Sequence, residues 1–229
     1  MRTIVVIVAK EPVASRVKTR LCPDLSPVQA AEIYSLFIQD MVEEMSDLFP
    51  ATLALAYSPE GSMSAFETIL PRTIPMFAQH GAGLGERLSH IFTRLHSEGY
   101  EQILIINSDS PDMPCSLVRK STRLLASPGI DLVLGPCADG GYYLIGLKKP
   151  APELFRGIPW STDRVLALTL ERASELGLSC GLLDVWYDID TCEDLLMFLE
   201  RGKSRNDGCG PGWRTRKYLR NLPGIHGVT

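Results

Sequence analysis

Ile103-Leu104-Ile105-Ile106-Asn107-Ser108-Asp109-Ser110-Pro111 sets a short, largely β-branched apolar run against a turn broken by Ser and Pro that carries one carboxylate. Four to eight apolar residues bounded by turn signals read as a buried strand of an α/β sheet. Asp109 then sits where that strand ends. In open α/β sheets ligands bind in the crevice outside the carboxyl ends of the strands, so an acid there is placed to hold a hard cation such as Mg²⁺. A turn Asp capping its own backbone fits the same residues, and the rest of the chain has to decide between the two.

Working outward, apolar runs at 4–9, 52–57, 74–77, 103–107, 131–134, 142–147 and 182–186 read as strands. Helical patterns separate many of them. Ser26-Pro27-Val28-Gln29 opens the first helix with a Ser cap, Pro at the first helical position and Gln three residues after the Ser, and Ile33, Phe37, Met41 and Met45 recur every fourth residue. That helix is predicted to end near Phe49-Pro50. A second helix carries Leu84, Leu88, Ile91 and Leu95 on one face, and others are expected at 117–125, 164–176 and 193–201, the last behind the Thr191/Asp194 capping pair. Strands alternating with helices imply βαβ units, a mainly parallel sheet and right-handed crossovers. Residues 1–201 read as one domain, 202–212 as a linker, and the basic 213–222 segment as a short docking helix within a 202–229 tail.

The bulk numbers exclude several classes. With 229 residues, 45% hydrophobic and 22% charged, the chain is of ordinary globular composition. A net charge of −4 gives no electrostatic footprint for nucleic acid or an anionic membrane, so small molecules or other proteins are the expected partners. The six cysteines show no C-x-x-C and no zinc spacing, which points to reduced thiols. No apolar stretch approaches a membrane span, and a cytoplasmic location is expected.

Four constellations carry candidate chemistry. Lys10, Arg16, Lys18 and Arg20 place four cations in eleven residues after the first strand, where a phosphate would be gripped; surface basic residues are also common. Gly81-Ala82-Gly83-Leu84-Gly85-Glu86-Arg87 lies between a strand and a helix and reads either as a backbone-donor loop near a nucleotide or as a tight connection. It is not G-x-G-x-x-G, which disfavours an NAD enzyme. Asp139-Gly140-Gly141 permits close backbone approach to a ligand, with Asp139 orienting a hydroxyl, and equally describes a hairpin turn. Asp188 and Asp190, two residues apart, point to one side if extended, and two converging acids repel unless a cation or proton lies between them. Asp190 also fits a neighbour of the Thr191 cap, and Ser161 and Thr162 fit either capping or anion binding.

Val17-Lys18-Thr19-Arg20-Leu21, the run from Gly83 to Leu88, Asn107-Ser108-Asp109-Ser110-Pro111, the run from Gly135 to Gly146, Trp160-Ser161-Thr162 and Asp188-Ile189-Asp190-Thr191 together resemble the DUF2064 family. Its members are assigned as GT-A type glycosyltransferases, some associated with arsenosugar biosynthesis, and are related to phospholactate guanylyltransferases and molybdenum-cofactor nucleotidyltransferases. The likeness runs in order over residues 2–200. It implies a three-layer α/β/α Rossmann-like nucleotide-diphospho-sugar transferase fold. By that likeness Lys18 and Arg20 meet the phosphates and Gly83, Gly85 and Arg87 lie near the nucleotide, and Lys10 joins the phosphate-binding set from its place at the end of the first strand. Gly141, Ser161 and Thr162 lie by the acceptor, with Gly140 joined to them as the other half of the glycine pair, and Asp109 holds Mg²⁺ or Mn²⁺, together with Asp188 and Asp190 by likeness to the related guanylyltransferases. Two positions depart from the family pattern: Ala14-Ser15 replaces a Pro-Gly or similar pair, and Asn107 replaces a Gly.

The expected function is therefore a metal-dependent transferase acting on a nucleotide-activated donor and a small acceptor, with Asp109 and Asp139 as catalytic residues. Glycosyl transfer leads, nucleotidyl transfer with pyrophosphate release is the alternative, and a binding module without turnover is the rival of a different class. An aspartyl-phosphate phosphatase is disfavoured because Ala9-Lys10 ends the first strand, and a P-loop kinase because no G-x-x-x-x-G-K-[ST] occurs.

Overall fold

The computed structural model describes residues 1–48, 50–202 and 209–223. Seven strands form one sheet: β1 (Thr3–Lys10), β2 (Thr52–Ser58), β3 (Met76–Ala78), β4 (Gln102–Ile106), β5 (Leu132–Pro136), β6 (Tyr142–Leu147) and β7 (Cys180–Leu182), in the order β3-β2-β1-β4-β6-β5-β7. Every pairing is parallel except those of β6, which runs antiparallel to both β4 and β5. The mainly parallel three-layer α/β/α architecture is the expected one.

The apolar runs are nearly continuous because both sheet faces are covered. Along β1, Val5 and Ile7 face one layer while Ile4 and Val6 face the other, and along β4 Leu104 and Ile106 oppose Ile103 and Ile105 in the same way. The first layer holds α1 (Pro27–Met45), α4 (Cys115–Ala126), α6 (Cys192–Arg201) and α7 (Trp213–Arg220); α3 (Leu84–Ser97) and α5 (Val165–Glu175) cover the opposite face. The short α2 (Met63–Glu67) has no counterpart among the predicted helices.

Both capping boxes form: the Ser26 hydroxyl accepts from Gln29 N, and the Thr191 hydroxyl accepts from Asp194 N. α1 ends at Met45, earlier than predicted, and Phe49 lies outside the described residues. β3 begins two residues late because Ile74 N closes a turn onto Pro71 O and Pro75 has no N–H to give. β7 is displaced towards the N-terminus, and of the expected 182–186 strand Trp186 keeps only a single bridge to Cys137. Leu182 and Val185 there are exposed, as fits a sheet edge.

Part of the expected linker, residues 203–208, lies outside the described residues, as do 224–229. The predicted docking helix is α7, and it docks on α1. Asp40 of α1 is buried, and its carboxylate accepts from Arg214 N at 3.1 Å, Thr215 N at 2.9 Å and Thr215 Oγ1 at 2.7 Å. Trp213 Nε1 and Arg214 reach Glu43, and Tyr218 Oη donates to Glu32. Among the described residues no helix is long and apolar enough to cross a membrane.

Candidate active site

The carboxyl ends of β1 and β4 meet the segment before α6. Tyr34 of α1 ties the first two together: its hydroxyl accepts from Lys10 N at 3.1 Å and lies 2.7 Å from Ser108 Oγ. Burial and the charge of Asp109 push the Tyr34 phenol up to about 12, so it stays neutral. Ile189 N then donates to Asp109 O at 2.9 Å, closing the third side.

Lys18 occupies the centre. The loop after β1 is pinned by buried Val17 and Leu21, and Lys18 between them adopts φ 46°, a left-handed conformation that turns its side chain inward. Its ammonium contacts Asp109 Oδ1 at 2.7 Å, Asp190 Oδ1 at 2.9 Å and Ile189 O at 2.5 Å. Burial alone would lower its pKa, but the two carboxylates outweigh that and hold it well above the usual lysine value. For Asp190 burial acts upward, and Lys18, Arg20 and Lys10 together bring the net shift down, so it stays ionised. Arg20 Nη1 lies 3.3 Å from Asp190 Oδ2 and is otherwise exposed, as are Lys10 and Arg16.

Asp188 belongs to the same group but faces different partners. Its Oδ1 accepts from Asn107 Nδ2 at 2.7 Å, Ser110 Oγ at 2.8 Å and Cys137 Sγ at 3.4 Å. Burial first, then the charge of Asp109, pushes its carboxyl up to about 6. Asn107, the departure from the family Gly, therefore anchors Asp188, and its Oδ1 also accepts from Asp109 N at 3.3 Å. The sequence reading missed Asn107, Ser110, Cys137 and Tyr34 as parts of this group; only the Asn-x-Asp spacing of 107 and 109 hinted at a side-chain-closed turn.

The raised carboxyl of Asp188 carries a pH prediction with a definite sign. A folded pKa near 6 lies above the ordinary aspartate value, so the stability tied to its protonation is present below about pH 4 and lost as pH rises through about 6. Asp188→Asn retains an oxygen acceptor for Asn107 and Ser110 without the charge. In metal-free buffer it is expected to be more stable than the wild type by about 1–2 kcal/mol at pH 7.5 and no different at pH 4. Thermal unfolding at both pH values checks this, and equal melting temperatures at pH 7.5 would refute it.

The remaining candidates line the same rim. Asp139 Oδ1 accepts from Gly141 N at 2.9 Å, and Cys137 N donates to Gly141 O at 3.0 Å, a tight turn as the hairpin reading had it. Gly140 has φ +88°, and a Cβ there would stand 2.1 Å from Asp163 O, so this turn admits only glycine. Asp139, Asp109 and Asp188 all act on the Cys137 thiol and, after burial, help to raise its pKa. In the glycine run, Ala82 N donates to Glu86 Oε2 and Arg87 Nε donates to Gly81 O at 3.0 Å, which folds Arg87 back on its own loop. A Cβ on Gly85 would approach both Phe155 O and Trp160 Nε1 to 2.9 Å, so the run presses against Trp160. Gly83, Gly85, Glu86, Phe155 and Trp160 line part of a cleft of about 700 Å³. Ser161 takes φ +65°, and Thr162 Oγ1 donates to Pro159 O and accepts from Arg164 N, a local side-chain turn ahead of α5, whose own N-cap, Arg164, makes no side-chain cap bond.

Residues 41–162 match the model of the family described as "Uncharacterized protein conserved in bacteria (DUF2064)". The chain belongs to the DUF2064 family. No curated protein matches it. Among solved structures, a protein from Desulfovibrio desulfuricans G20, provisionally named a nucleotide-diphospho-sugar transferase, is 31% identical with a TM-score of 0.89, over 99% of this chain and 98% of that one. A cytidylyltransferase from Leptospira borgpetersenii serovar Hardjo-bovis is 12% identical with a TM-score of 0.59, over 100% of this chain and 98% of that one. CMP:2-keto-3-deoxy-manno-octonic acid synthetase in complex with CTP is also 12% identical with a TM-score of 0.59, over 89% of this chain and 100% of that one. At 12% identity the likeness is one of fold. The DUF2064 match spans the glycine run, Asp109 and the Asp139 turn, while Lys10, Lys18, Arg20, Asp188 and Asp190 lie outside it and fall within the D. desulfuricans likeness.

Proposed function

We propose that this DUF2064 protein is a transferase that takes a nucleotide-activated donor and moves its sugar to a small acceptor held on the same rim. One observation carries the reading: at the carboxyl edge of the sheet, exposed Lys10 and Arg20 stand over a half-buried group of carboxylates that includes Asp109 and Asp188. Cations at that edge suit a diphosphate. The name of the D. desulfuricans relative supports the same class.

The carboxylates also suit a divalent ion. Among the described residues no three His, Cys, Asp or Glu side chains form a ready metal cage. Mg²⁺ commonly takes only one or two carboxylates and completes its shell with water and substrate phosphate. Asp109 and Asp188 supply such a pair, and a dication there would offset both causes that raise Asp188, burial first and then the charge of Asp109. Mg²⁺ or Mn²⁺ bound there would neutralise charge developing on the departing diphosphate. The residues of the chain do the rest: Lys10 and Arg20 bind phosphate oxygens, and Asp190 keeps Arg20 aligned. Asp139, with one oxygen held by Gly141 N–H, has its other oxygen for an acceptor hydroxyl.

The test is a thermal-shift panel of nucleotide sugars and nucleoside triphosphates, with and without Mn²⁺ or Mg²⁺, followed by product analysis of each hit. A nucleotide sugar that stabilises only with the metal and yields a nucleoside diphosphate is the expected result. Pyrophosphate release from a triphosphate would replace sugar transfer by nucleotidyl transfer, which needs the same clamp. Metal-independent binding with no product for any acceptor would make the protein a nucleotide-binding module.

A further inference from the structure

An ammonium has three N–H donors and no acceptor. Lys18 donates to Asp190 Oδ1 and Ile189 O and pairs with Asp109 Oδ1 at 2.7 Å, so three protein oxygens surround its ammonium, and only 5% of its side chain is exposed. The Phe37 ring, 5.6 Å from Nζ, closes the apolar side. Its left-handed backbone is costly for a long side chain and persists only where the surroundings fix it, here through buried Val17 and Leu21. A phosphate could reach this ammonium only by breaking a buried ion pair. Lys10 is exposed and Arg20 is 71% exposed, so both can meet one without that loss.

We propose that Lys18 is the resident counter-ion of the carboxylate group, a positioning residue that holds Asp109 and Asp190 together before a metal ion or nucleotide arrives, and that phosphate recognition belongs to Lys10 and Arg20. The proposal rests on the transferase reading for its ligands, whereas the ion-pair geometry is independent of it. The two roles for Lys18 predict opposite signs. Removing a phosphate ligand weakens phosphate binding and leaves the metal site alone. Removing a counter-ion strips Asp109 and Asp190 of their buried ammonium and leaves Asp190 with the exposed Arg20, which destabilises the ligand-free protein and strengthens the hold on a dication.

The experiment compares Lys18→Met, Arg20→Met and Lys18→Met/Asp190→Asn with the wild type. It reads melting temperature in metal-free buffer, Mn²⁺ affinity by electron paramagnetic resonance, and pyrophosphate affinity by calorimetry. Lys18→Met is expected to melt about 5 °C or more below the wild type and to bind Mn²⁺ roughly tenfold more tightly, with part of the melting loss recovered in the double variant. Arg20→Met is expected to keep the melting temperature and lose pyrophosphate affinity. Wild-type melting and Mn²⁺ affinity in Lys18→Met, with pyrophosphate binding lost, would overturn the proposal. Should Lys18→Met fail to fold, reductive methylation of the wild type decides: Lys10 is expected to react and Lys18 to be spared, and equal reaction of the two overturns it. A wild type that binds no nucleotide would sink the transferase reading while leaving the melting and methylation comparisons intact.

Discussion

Asp109→Asn is expected to slow nucleotide-dependent transfer by about 10²- to 10³-fold and to abolish the Mn²⁺-dependent rise in melting temperature. The change is isosteric. It keeps the backbone contacts in which Asp109 N donates to Asn107 and Asp109 O accepts from Ile189 N, so the turn has no reason to move. What is lost is one of the two carboxylates offered to a dication: Asp109 meets Lys18 through Oδ1 alone, whereas Asp190 has Oδ1 on Lys18 and Oδ2 on Arg20. The Asp188 carboxyl should fall back towards the ordinary aspartate range, because the charge of Asp109 is the second cause of its elevation after burial. An unchanged Mn²⁺ response in Asp109→Asn would place the ion elsewhere.

The second large effect concerns stability. Asp40→Ala is expected to cost about 2–4 kcal/mol, since it strips the acceptor from two backbone N–H groups and one hydroxyl where α7 starts. In a chain of this size that is a fall of roughly 5–15 °C in melting temperature. Burial raises the Asp40 carboxyl against the pull of those hydrogen bonds, so part of the loss is offset by removing a charge that is costly to bury. The damage should start locally. Limited proteolysis is expected to cut within 209–223 well before the sheet unfolds, and a variant that melts and resists cleavage like the wild type would refute the docking role.

The features legible in the sequence were those written in near neighbours. Ser26 with Gln29 and Thr191 with Asp194 announce helix starts within four residues, and each box forms. Ile103 to Ile106 announces a strand buried on both faces. Strand direction is another matter. Tyr142 to Leu147 is apolar whichever way it runs, and nothing local says that β6 opposes β4 and β5. The candidate acids Asp109, Asp188 and Asp190 could be named from their turns. That the cation among Asp109 and Asp190 is a lysine from the first loop could not, because that contact spans 172 residues and depends on a left-handed backbone at a non-glycine position. Asn107 is legible only with the fold: in the sequence it is a missing glycine, and in the structure it is a side chain that fixes Asp188.

The reversed strand has one more outcome. Because β6 enters the sheet from the same rim at which β4 and β5 finish, the Asp139 turn joins the crevice, and the turns at 127–130 and 176–179 fall at the far end of the strands. Gly129 and Gly177 in those two turns are exposed, and a Cβ there would meet nothing within 4 Å. An affinity tag, a fluorophore or a surface tether spliced into either turn would hang from the base of the molecule and leave the opening free for its ligands.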